Sequence, residues 1–129
     1  MSRVVLDASA ILAIINSEPG AEKLTPELLR EAVCSTVNLA EVQAKLVSRG
    51  WSPDEAWADA TSPIREAVPF SGEQAKIAGS LVTMTRQLGL SLGDRACIAL
   101  GISMSVPVFT AEKAWSKLKL GNRIQVIRP

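Results

Sequence analysis

Four acidic residues lie where the sequence predicts strand ends or helix starts, and they are the residues of this chain best suited to chemistry. Asp7 directly follows the apolar run Arg3–Leu6, and Glu41, Asp94 and Glu112 each lie just inside a predicted helix. In an open α/β sheet such positions converge on one edge. Four carboxylates there would repel one another and would be costly to desolvate without a cation. Oxygen ligands of this kind suit Mg²⁺ or Mn²⁺.

Each of the four acids also has a purely structural interpretation. Asp7 can cap the helix that follows it, and Asp94 and Glu112 can interact favourably with a helix dipole. Glu41 can pair with Lys45, four residues further along the same helix. Near-continuous apolar residues flank Asp7 and Asp94, however, and burying a carboxylate is costly. Taken together, the four acids favour a functional site.

The elements around these acids alternate between strands and helices. The sequence predicts apolar strands at Arg3–Leu6, Ala32–Cys34, Ala67–Phe70, Val106–Phe109 and Ile124–Ile127. This alternation is typical of a parallel sheet covered on both faces, so the predicted fold class is α/β.

Capping signals place several of the intervening helices. Ser52-Pro53-Asp54-Glu55 and Ser71-Gly72-Glu73-Gln74 each carry the serine, and three residues later the acid or amide, of a capping box. The predicted helices run from Ala8 to about Asn16, Ala21 to Arg30, Thr36 to about Arg49, Ser52 to about Arg65, Ser71 to about Leu88, Ser91 to Gly101–Ser103 and, for one turn, Glu112 to Trp115.

Length and composition predict one folded domain over residues 1–129. The chain has 47% apolar and 21% charged residues, which is ordinary for a protein with a real core. Uncharged stretches such as Ala8–Ser17 are too short to span a membrane, and no signal peptide is recognisable. Cys34 and Cys97 lie in apolar surroundings, which predicts buried thiols in a reducing compartment. The chain has no histidine, so a cysteine–histidine nucleophile is excluded, and we expect a cytoplasmic protein.

The net charge of +1 is unevenly distributed. Residues Ala111–Pro129 carry a net charge of +4, and the rest of the chain carries −3. The basic residues of this tail are Lys113, Lys117, Lys119, Arg123 and Arg128. Such a tail beside an acidic metal site could attract phosphates, or it could be an ordinary solvated face.

Four blocks of the sequence resemble, in order and at suitable spacing, those of PIN-domain proteins, and in particular the small VapC-type toxins of toxin–antitoxin pairs. The blocks are Val5-Leu6-Asp7-Ala8-Ser9-Ala10, Thr36-Val37-Asn38-Leu39-Ala40-Glu41-Val42, Leu92-Gly93-Asp94-Arg95-Ala96-Cys97-Ile98-Ala99-Leu100-Gly101 and Phe109-Thr110-Ala111-Glu112-Lys113-Ala114-Trp115. One block alone would be a weak signal, whereas four in sequence are specific.

This resemblance implies an α/β/α sandwich with a central parallel sheet, and an Mg²⁺-dependent endoribonuclease. On the family pattern, Asp7, Glu41 and Asp94 are the Mg²⁺-binding carboxylates, with Mn²⁺ as an alternative ion. Ser9 and Thr110 match the hydroxyl positions that hold the surrounding network of water and carboxylates. The resemblance also implies a homodimer, an RNA substrate and a cognate antitoxin protein that occludes the site. Since the chain has no DNA-binding motif of its own, we expect DNA contacts only through the antitoxin.

Glu112 departs from the family pattern, which has aspartate at this position. The glutamate carboxylate reaches roughly 1.5 Å further from the backbone. Because Mg²⁺ requires near-ideal octahedral geometry and keeps several waters, we expect Glu112 to act through a metal-bound water or on a second, weakly held ion. Arg95 is a candidate phosphate contact, although it could equally bridge to a neighbouring acid.

A set of apolar residues on the short helices in the first half of the chain has two interpretations. These residues are Leu24, Leu28, Leu29, Trp51 and Trp57. Apolar residues at helical spacing usually serve the core. The resemblance suggests that part of this surface instead forms a groove for an antitoxin helix.

Two other functional classes compete with this prediction. A receiver-like phosphoacceptor also places an aspartate after its first strand, but it needs further acids near the chain start, and none precedes Asp7. A non-catalytic PIN-like module that binds RNA or protein is the alternative to an enzyme. The presence of Asp7, Glu41 and Asp94 argues against it.

Overall fold

The computed structural model describes residues 3–120 and 123–129, so Met1, Ser2, Gly121 and Asn122 of the predicted domain lie outside the described residues. At its centre is a five-stranded sheet in which every strand pairing is parallel. The strands are β1 (Val4–Leu6), β2 (Ala32–Ser35), β3 (Glu66–Val68), β4 (Val108–Thr110) and β5 (Ile124–Val126), in the order β3-β2-β1-β4-β5. The predicted parallel α/β sheet is confirmed.

Helices cover both faces of this sheet. They are α1 (Ala8–Ile15), α2 (Pro26–Leu29), α3 (Thr36–Ser48), α4 (Pro53–Thr61), α5 (Gly72–Ser80), α6 (Val82–Thr85) and α7 (Leu92–Met104), with short 3-10 helices at Ala21–Lys23, Arg86–Leu88 and Lys113–Lys117. Successive residues of a strand point to opposite faces. Leu6 accordingly packs with the apolar residues of α1 to α4, and Val5 packs with those of α5, α7 and the last 3-10 helix. This is the predicted α/β/α sandwich.

The strand order creates a crevice at the carboxyl edge of the sheet. The chain moves from β1 through β2 to the edge strand β3, and then returns so that β4 pairs with the other side of β1. The connections that leave β1 and β4 therefore diverge, and open α/β sheets bind ligands at such a point. Leu6 lies in register with Phe109, which brings the following residues, Asp7 and Thr110, together.

Proline residues explain why two predicted helices are shorter than expected. In place of one helix over Ala21–Arg30, the chain forms a 3-10 helix and then α2, which begins at Pro26. Proline disfavours helical backbone in the residue before it, and Thr25 is extended there (ψ 160°) and caps α2. Helix α4 has the predicted capping box but ends at Thr61 instead of near Arg65, because Pro63 cannot continue it.

The predicted helix from Ser71 to about Leu88 is broken into α5, α6 and a 3-10 helix. The hydroxyl of Thr85 donates to the carbonyl of Leu81 at 2.9 Å, a side-chain bond that competes with regular helix geometry. The capping box predicted at Ser71 is only half formed. Ser71 accepts from the Gln74 amide, but the Gln74 side chain donates to the carbonyl of Pro69.

Prolines also displace two strands from their predicted positions. β3 ends at Val68, before Pro69, and β4 begins at Val108, after Pro107. Proline has no N–H for a sheet ladder, so both strands exclude it. The predicted helical turn at Glu112–Trp115 is a 3-10 helix that begins one residue later, at Lys113.

Helix α7 packs closely on the sheet near its C-terminal end. A Cβ added at Gly101 would collide with a methyl group of Val108 on β4, so only glycine permits this approach.

Cys97 of α7 and Cys34 of β2 are both buried free thiols, as predicted. Within the described residues, no helix combines the length and apolar character needed to cross a membrane.

Most of the apolar set on the first short helices serves the core. Leu24 is 5% exposed, and Leu28, Leu29 and Trp51 pack partly buried against the core. Trp57 differs, because 41% of its surface is exposed.

Candidate active site

Asp7 lies at the end of β1 and caps α1, and its carboxylate is the most constrained group of the site. Its exposed fraction is 3%. Oδ1 accepts from the Ala10 amide and the Ser9 hydroxyl, both at 2.8 Å, and Oδ2 accepts from the Thr110 hydroxyl at 2.6 Å. The capping interpretation of Asp7 therefore describes one oxygen only. The other oxygen is held by Thr110 of β4 and is also 2.9 Å from the Ser9 hydroxyl.

Backbone amides orient the two hydroxyls around Asp7. The Ala111 amide donates to Ser9 Oγ at 2.9 Å, and the Glu112 amide donates to Thr110 Oγ1 at 3.0 Å. Each hydroxyl oxygen thus accepts from the chain leaving β4, and its own proton is directed at Asp7. The predicted hydroxyl positions do form a network with this carboxylate.

Burial raises the pKa of Asp7 from 3.8 to about 6. Desolvation is the largest cause, and the hydrogen bonds from Thr110, Ala10 and Ser9 counteract it. The negative charge of Asp94 raises the pKa further. Asp7 is therefore a carboxylate whose ionised form a nearby cation would stabilise.

Glu41 lies on the second turn of α3 and is tied to α7. The side-chain amide of Asn38 donates to Glu41 Oε1 at 2.9 Å and to the carbonyl of Gly93 at 3.0 Å. The structural alternative for Glu41, an ion pair with Lys45, is not formed in the described part of the chain.

Asp94 lies on the first turn of α7 and forms a capping box with Ser91. The Ser91 amide donates to Asp94 Oδ2 at 2.9 Å, and the Asp94 amide donates to Ser91 Oγ at 3.2 Å. The interpretation of Asp94 as a helix-start acid is thus correct for this oxygen, while the residue also lines the cleft described next.

The four predicted acids line one cleft of about 540 Å³ at the carboxyl edge of the sheet. Its lining residues are Asp7, Ala8, Ser9, Leu12, Glu41, Ala44, Lys45, Ser48, Asp94 and Glu112. The four acids come from four separate elements of the chain, as convergence at a parallel sheet edge requires. Glu112 is exposed, and its side chain makes no capping hydrogen bond to the 3-10 helix that follows.

Arg95 is not part of this cleft, contrary to expectation. Its guanidinium donates from Nη1 to the carbonyl of Ala78 near the end of α5, at 3.0 Å. In the described residues Arg95 forms no ion pair with an acid, and its side chain is held against α5. One residue after Asp94 on a helix, a side chain points about 100° away, here towards α5.

Residues 4–120 match the PIN domain family. The chain belongs to this family. No curated protein matches its sequence significantly.

Solved structures with the same fold include several toxin–antitoxin proteins. A DNA-bound VapBC complex from Salmonella typhimurium is similar with a TM-score of 0.73, at 16% identity over 98% of each chain. A toxin–antitoxin complex from Klebsiella pneumoniae has a TM-score of 0.70, at 13% identity over 94% of each chain. VapC20 of Mycobacterium tuberculosis, a Sarcin-Ricin loop cleaving toxin, has a TM-score of 0.69, at 16% identity over 88% of this chain and 92% of that one. At these identities the likeness establishes the fold.

The donor set of this PIN domain fits a hard divalent cation. The acids of the cleft offer only carboxylate oxygens, the ligands that Mg²⁺ and Mn²⁺ prefer. Among the described residues, no three acidic or thiol side chains are arranged to hold one ion together. Mg²⁺ does not require such a cage, because it keeps several waters and is typically held by one or two carboxylates plus substrate phosphates.

The structure adds three residues that the sequence did not assign to the PIN-domain site. Asn38 and Gly93 contact Glu41, and Lys45 lines the cleft. Asn38 and Glu41 are three residues apart on one helix, and this spacing already indicates that their side chains can contact each other. The sequence gives no such indication for Gly93, because its contact with Glu41 depends on how closely α3 and α7 approach each other.

Proposed function

We propose that this PIN domain is a divalent-metal-dependent endoribonuclease and the VapC-type toxin of a type II toxin–antitoxin pair. The observation that carries this proposal is the cleft in which Asp7, Glu41, Asp94 and Glu112 meet at the switch point of the sheet. Buried and converging carboxylates are costly without a cation. The pKa of Asp7 is raised to about 6, mainly by burial and to a smaller extent by the charge of Asp94.

In this proposal Asp7, Glu41 and Asp94 hold Mg²⁺ or Mn²⁺. Asp7 is supported by Ser9 and Thr110, whose hydroxyls keep its two oxygens in place. Glu112 has no such support, and it acts on the ion through a bound water or on a second, weakly held ion.

The ion, when bound, lowers the pKa of a bound water and offsets the charge that develops on the phosphate. The chain itself must bind and orient a polyanion beside four acids. Among the described residues that line the cleft, Lys45 is the only cation, and it has no ion-pair partner. We assign Lys45 to a phosphate of the RNA backbone. Leu12, Ala8 and Ala44 give the cleft apolar walls, and none of its described lining residues is an aromatic platform for base stacking.

The proposal includes the partners that a toxin of this class requires. These are a cognate antitoxin that occludes the cleft, a second copy of the chain in a homodimer, and promoter DNA reached only through the antitoxin. The similarity to toxin–antitoxin complexes supports the first. We further propose that residues 1–129 form one domain and that the protein acts in the cytoplasm.

A groove of about 380 Å³ is our candidate contact for the antitoxin. It lies between the end of α1 and helix α4, and Ile14, Ile15, Leu29 and Trp51 line it. Apolar anchors of a helix could fill such a groove. Co-purification of the chain with the product of an adjacent reading frame supports this assignment, and a stable, non-toxic monomer with no such neighbour contradicts it.

The decisive experiment compares RNA cleavage by the wild-type chain and the Asp7→Asn variant, each purified free of contaminating nucleases. We expect Mg²⁺-dependent endonucleolytic cuts by the wild type, loss of cleavage in EDTA, and growth arrest when the chain is expressed alone. Cleavage by Asp7→Asn at the wild-type rate would disprove the proposal.

One observation favours a second function, a non-catalytic module that binds RNA or protein. In the described residues the acids form hydrogen bonds within the protein, and although they line one cleft, no three of them are placed to hold one ion together. A titration with Mg²⁺ followed by thermal unfolding separates the two functions, because only a protein that binds the ion in its native state is stabilised by it.

A further inference from the structure

Asn38 occupies a buried position between two helices that carry acids of the cleft. It lies on α3, one turn before Glu41, and its exposed fraction is 1%. Its Nδ2 group donates at the same time to Glu41 Oε1 at 2.9 Å and to the Gly93 carbonyl at 3.0 Å. Both amide protons are thereby used, one on the acid and one on the backbone of the helix opposite.

Gly93 completes this contact from the other side. The Glu41 carboxylate lies directly against the Gly93 Cα, and a Cβ built at that position would be 2.6 Å from Glu41 Cδ. No larger residue can occupy position 93 while Glu41 keeps its conformation. Gly93 immediately precedes Asp94, so the contact brings the Glu41 carboxylate to the turn that carries a second acid.

We propose that Asn38 and Gly93 are positioning residues that dock the Glu41 carboxylate on the first turn of α7, beside Asp94, in the arrangement that binds a divalent cation. This inference rests on the proposed metal site. Neither residue contacts substrate or ion, and both act through Glu41.

The need for such positioning follows from the length of the glutamate side chain. Glu41 is exposed, and holding a long side chain in one conformation costs entropy. Asp7 avoids this cost because its shorter side chain is buried and held by four donor contacts. At Glu41 the recorded hydrogen bond comes from Asn38, and Gly93 supplies the space.

The test is a double-mutant cycle with Mg²⁺ affinity as the readout, measured by calorimetric titration of the full chain without RNA. Supporting hydrogen bonds around metal ligands are typically worth 10- to 100-fold in affinity, so we expect Asn38→Ala to weaken Mg²⁺ binding about tenfold. Asn38→Ala in a Glu41→Gln background should have no further effect, because its target carboxylate is already absent. Asn16→Ala, at an exposed asparagine bonded to Glu18, is the matched control and should bind Mg²⁺ as the wild type does.

Gly93→Ala keeps the inference testable if Asn38→Ala fails to fold. The added methyl displaces only the end of a flexible side chain and favours the helix, so the fold should persist. We expect its Mg²⁺ affinity to fall about tenfold and the loss to disappear in the Glu41→Gln background.

Three results would overturn the inference: wild-type affinity in both Asn38→Ala and Gly93→Ala, losses that add to that of Glu41→Gln, or no Mg²⁺ binding by the wild type. A wild type that binds Mg²⁺ with the expected coupling yet cleaves no RNA would instead refute the proposed nuclease and leave the inference standing.

Discussion

The floor and the rim of the cleft are built in different ways. We call Asp7, Ser9 and Thr110 the floor, and Glu41, Lys45, Asp94 and Glu112 the rim. In the floor, the carboxylate is 3% exposed and both of its oxygens accept hydrogen bonds. In the rim, Glu41, Lys45 and Glu112 are exposed and Asp94 is half-buried.

This difference follows from the elements that supply each region. The floor comes from the ends of two paired strands, β1 and β4, whose register fixes Asp7 opposite Thr110, and from Ser9 on the first turn of α1. The rim comes mostly from helices that pack on the sheet and on each other, and longer side chains reach the cleft from them. The floor is therefore preorganised by the sheet, while each rim acid depends on contacts made by the helix that carries it, such as that of Asn38 with Glu41. Changes in the floor should accordingly have the larger effects.

The largest effect is expected for Asp7→Asn. The substitution keeps the shape of the side chain but removes the charge at the centre of the floor. We expect the rate of RNA cleavage to fall at least about 100-fold, the loss typical of removing one electrostatic group from a preorganised site. Asp54→Asn, at an exposed acid of α4, is the control and should leave the rate unchanged. If Asp7→Asn and Asp54→Asn cleave RNA at the same rate, Asp7 has no larger role than an exposed surface acid, and the proposed role of the floor is wrong.

The same substitution should stabilise the metal-free protein above pH 6. Because the folded state raises the Asp7 pKa from 3.8 to about 6, it binds the proton more tightly than the unfolded chain does. The free energy of unfolding therefore falls as the pH rises from about 4 to 6, by up to about 3 kcal/mol. Urea unfolding in EDTA should show this fall for the wild type and a smaller one for Asp7→Asn. If the free energy of unfolding depends on pH in the same way for the wild type and Asp7→Asn, burial of the ionised Asp7 carboxylate does not destabilise the folded protein.

Thr110→Val tests the support of the floor without changing its charge. Its hydrogen bond lowers the Asp7 pKa, so the variant should raise that pKa further and weaken cleavage about tenfold or more. Thr110→Ser retains the hydroxyl and should stay close to the wild type. The measurement is the pH dependence of cleavage, whose acidic limb should move to higher pH in Thr110→Val alone.

In the rim, Lys45→Ala should weaken RNA binding and leave the Asp7 network intact. A lysine that contacts one phosphate of a single strand contributes about 0.7 to the slope of log affinity against log salt concentration. We expect a loss of that size in the slope, and a higher KM with little change in kcat. Lys76→Ala, at an exposed lysine of α5, should change neither quantity. If the salt dependence of RNA affinity is the same in Lys45→Ala as in the wild type, Lys45 does not contact a phosphate of the substrate.

The smallest effect is expected for Glu112. Its side chain is exposed and has no recorded hydrogen bond in the described residues, so Glu112→Gln should reduce cleavage less than Asp7→Asn or Asp94→Asn. Glu112→Asp should be tolerated. If Glu112→Gln shifts the thermal stability but leaves cleavage and Mg²⁺ affinity unchanged, the acid is structural and the site has three carboxylates.

The sequence by itself determined the order of elements and the place of the acids. Strands and helices have different apolar periodicities, and capping residues mark helix starts, so both are readable over a few residues. Given alternating strands and helices, the handedness of their connections directs Asp7, Glu41 and Asp94 to one edge of the sheet. The roles of the Ser9 and Thr110 hydroxyls came instead from the resemblance of the sequence blocks to those of PIN domains.

Only the tertiary structure decided which side chains meet at that edge. Arg95 donates to the carbonyl of Ala78 because α5 packs beside α7, and Lys45 lines the cleft instead. Asn38 and Gly93 meet only because α3 and α7 approach closely. Local sequence specifies a helix and its capping residues. Which partner a surface side chain contacts depends on residues that are far away in the chain, and no local pattern encodes that contact.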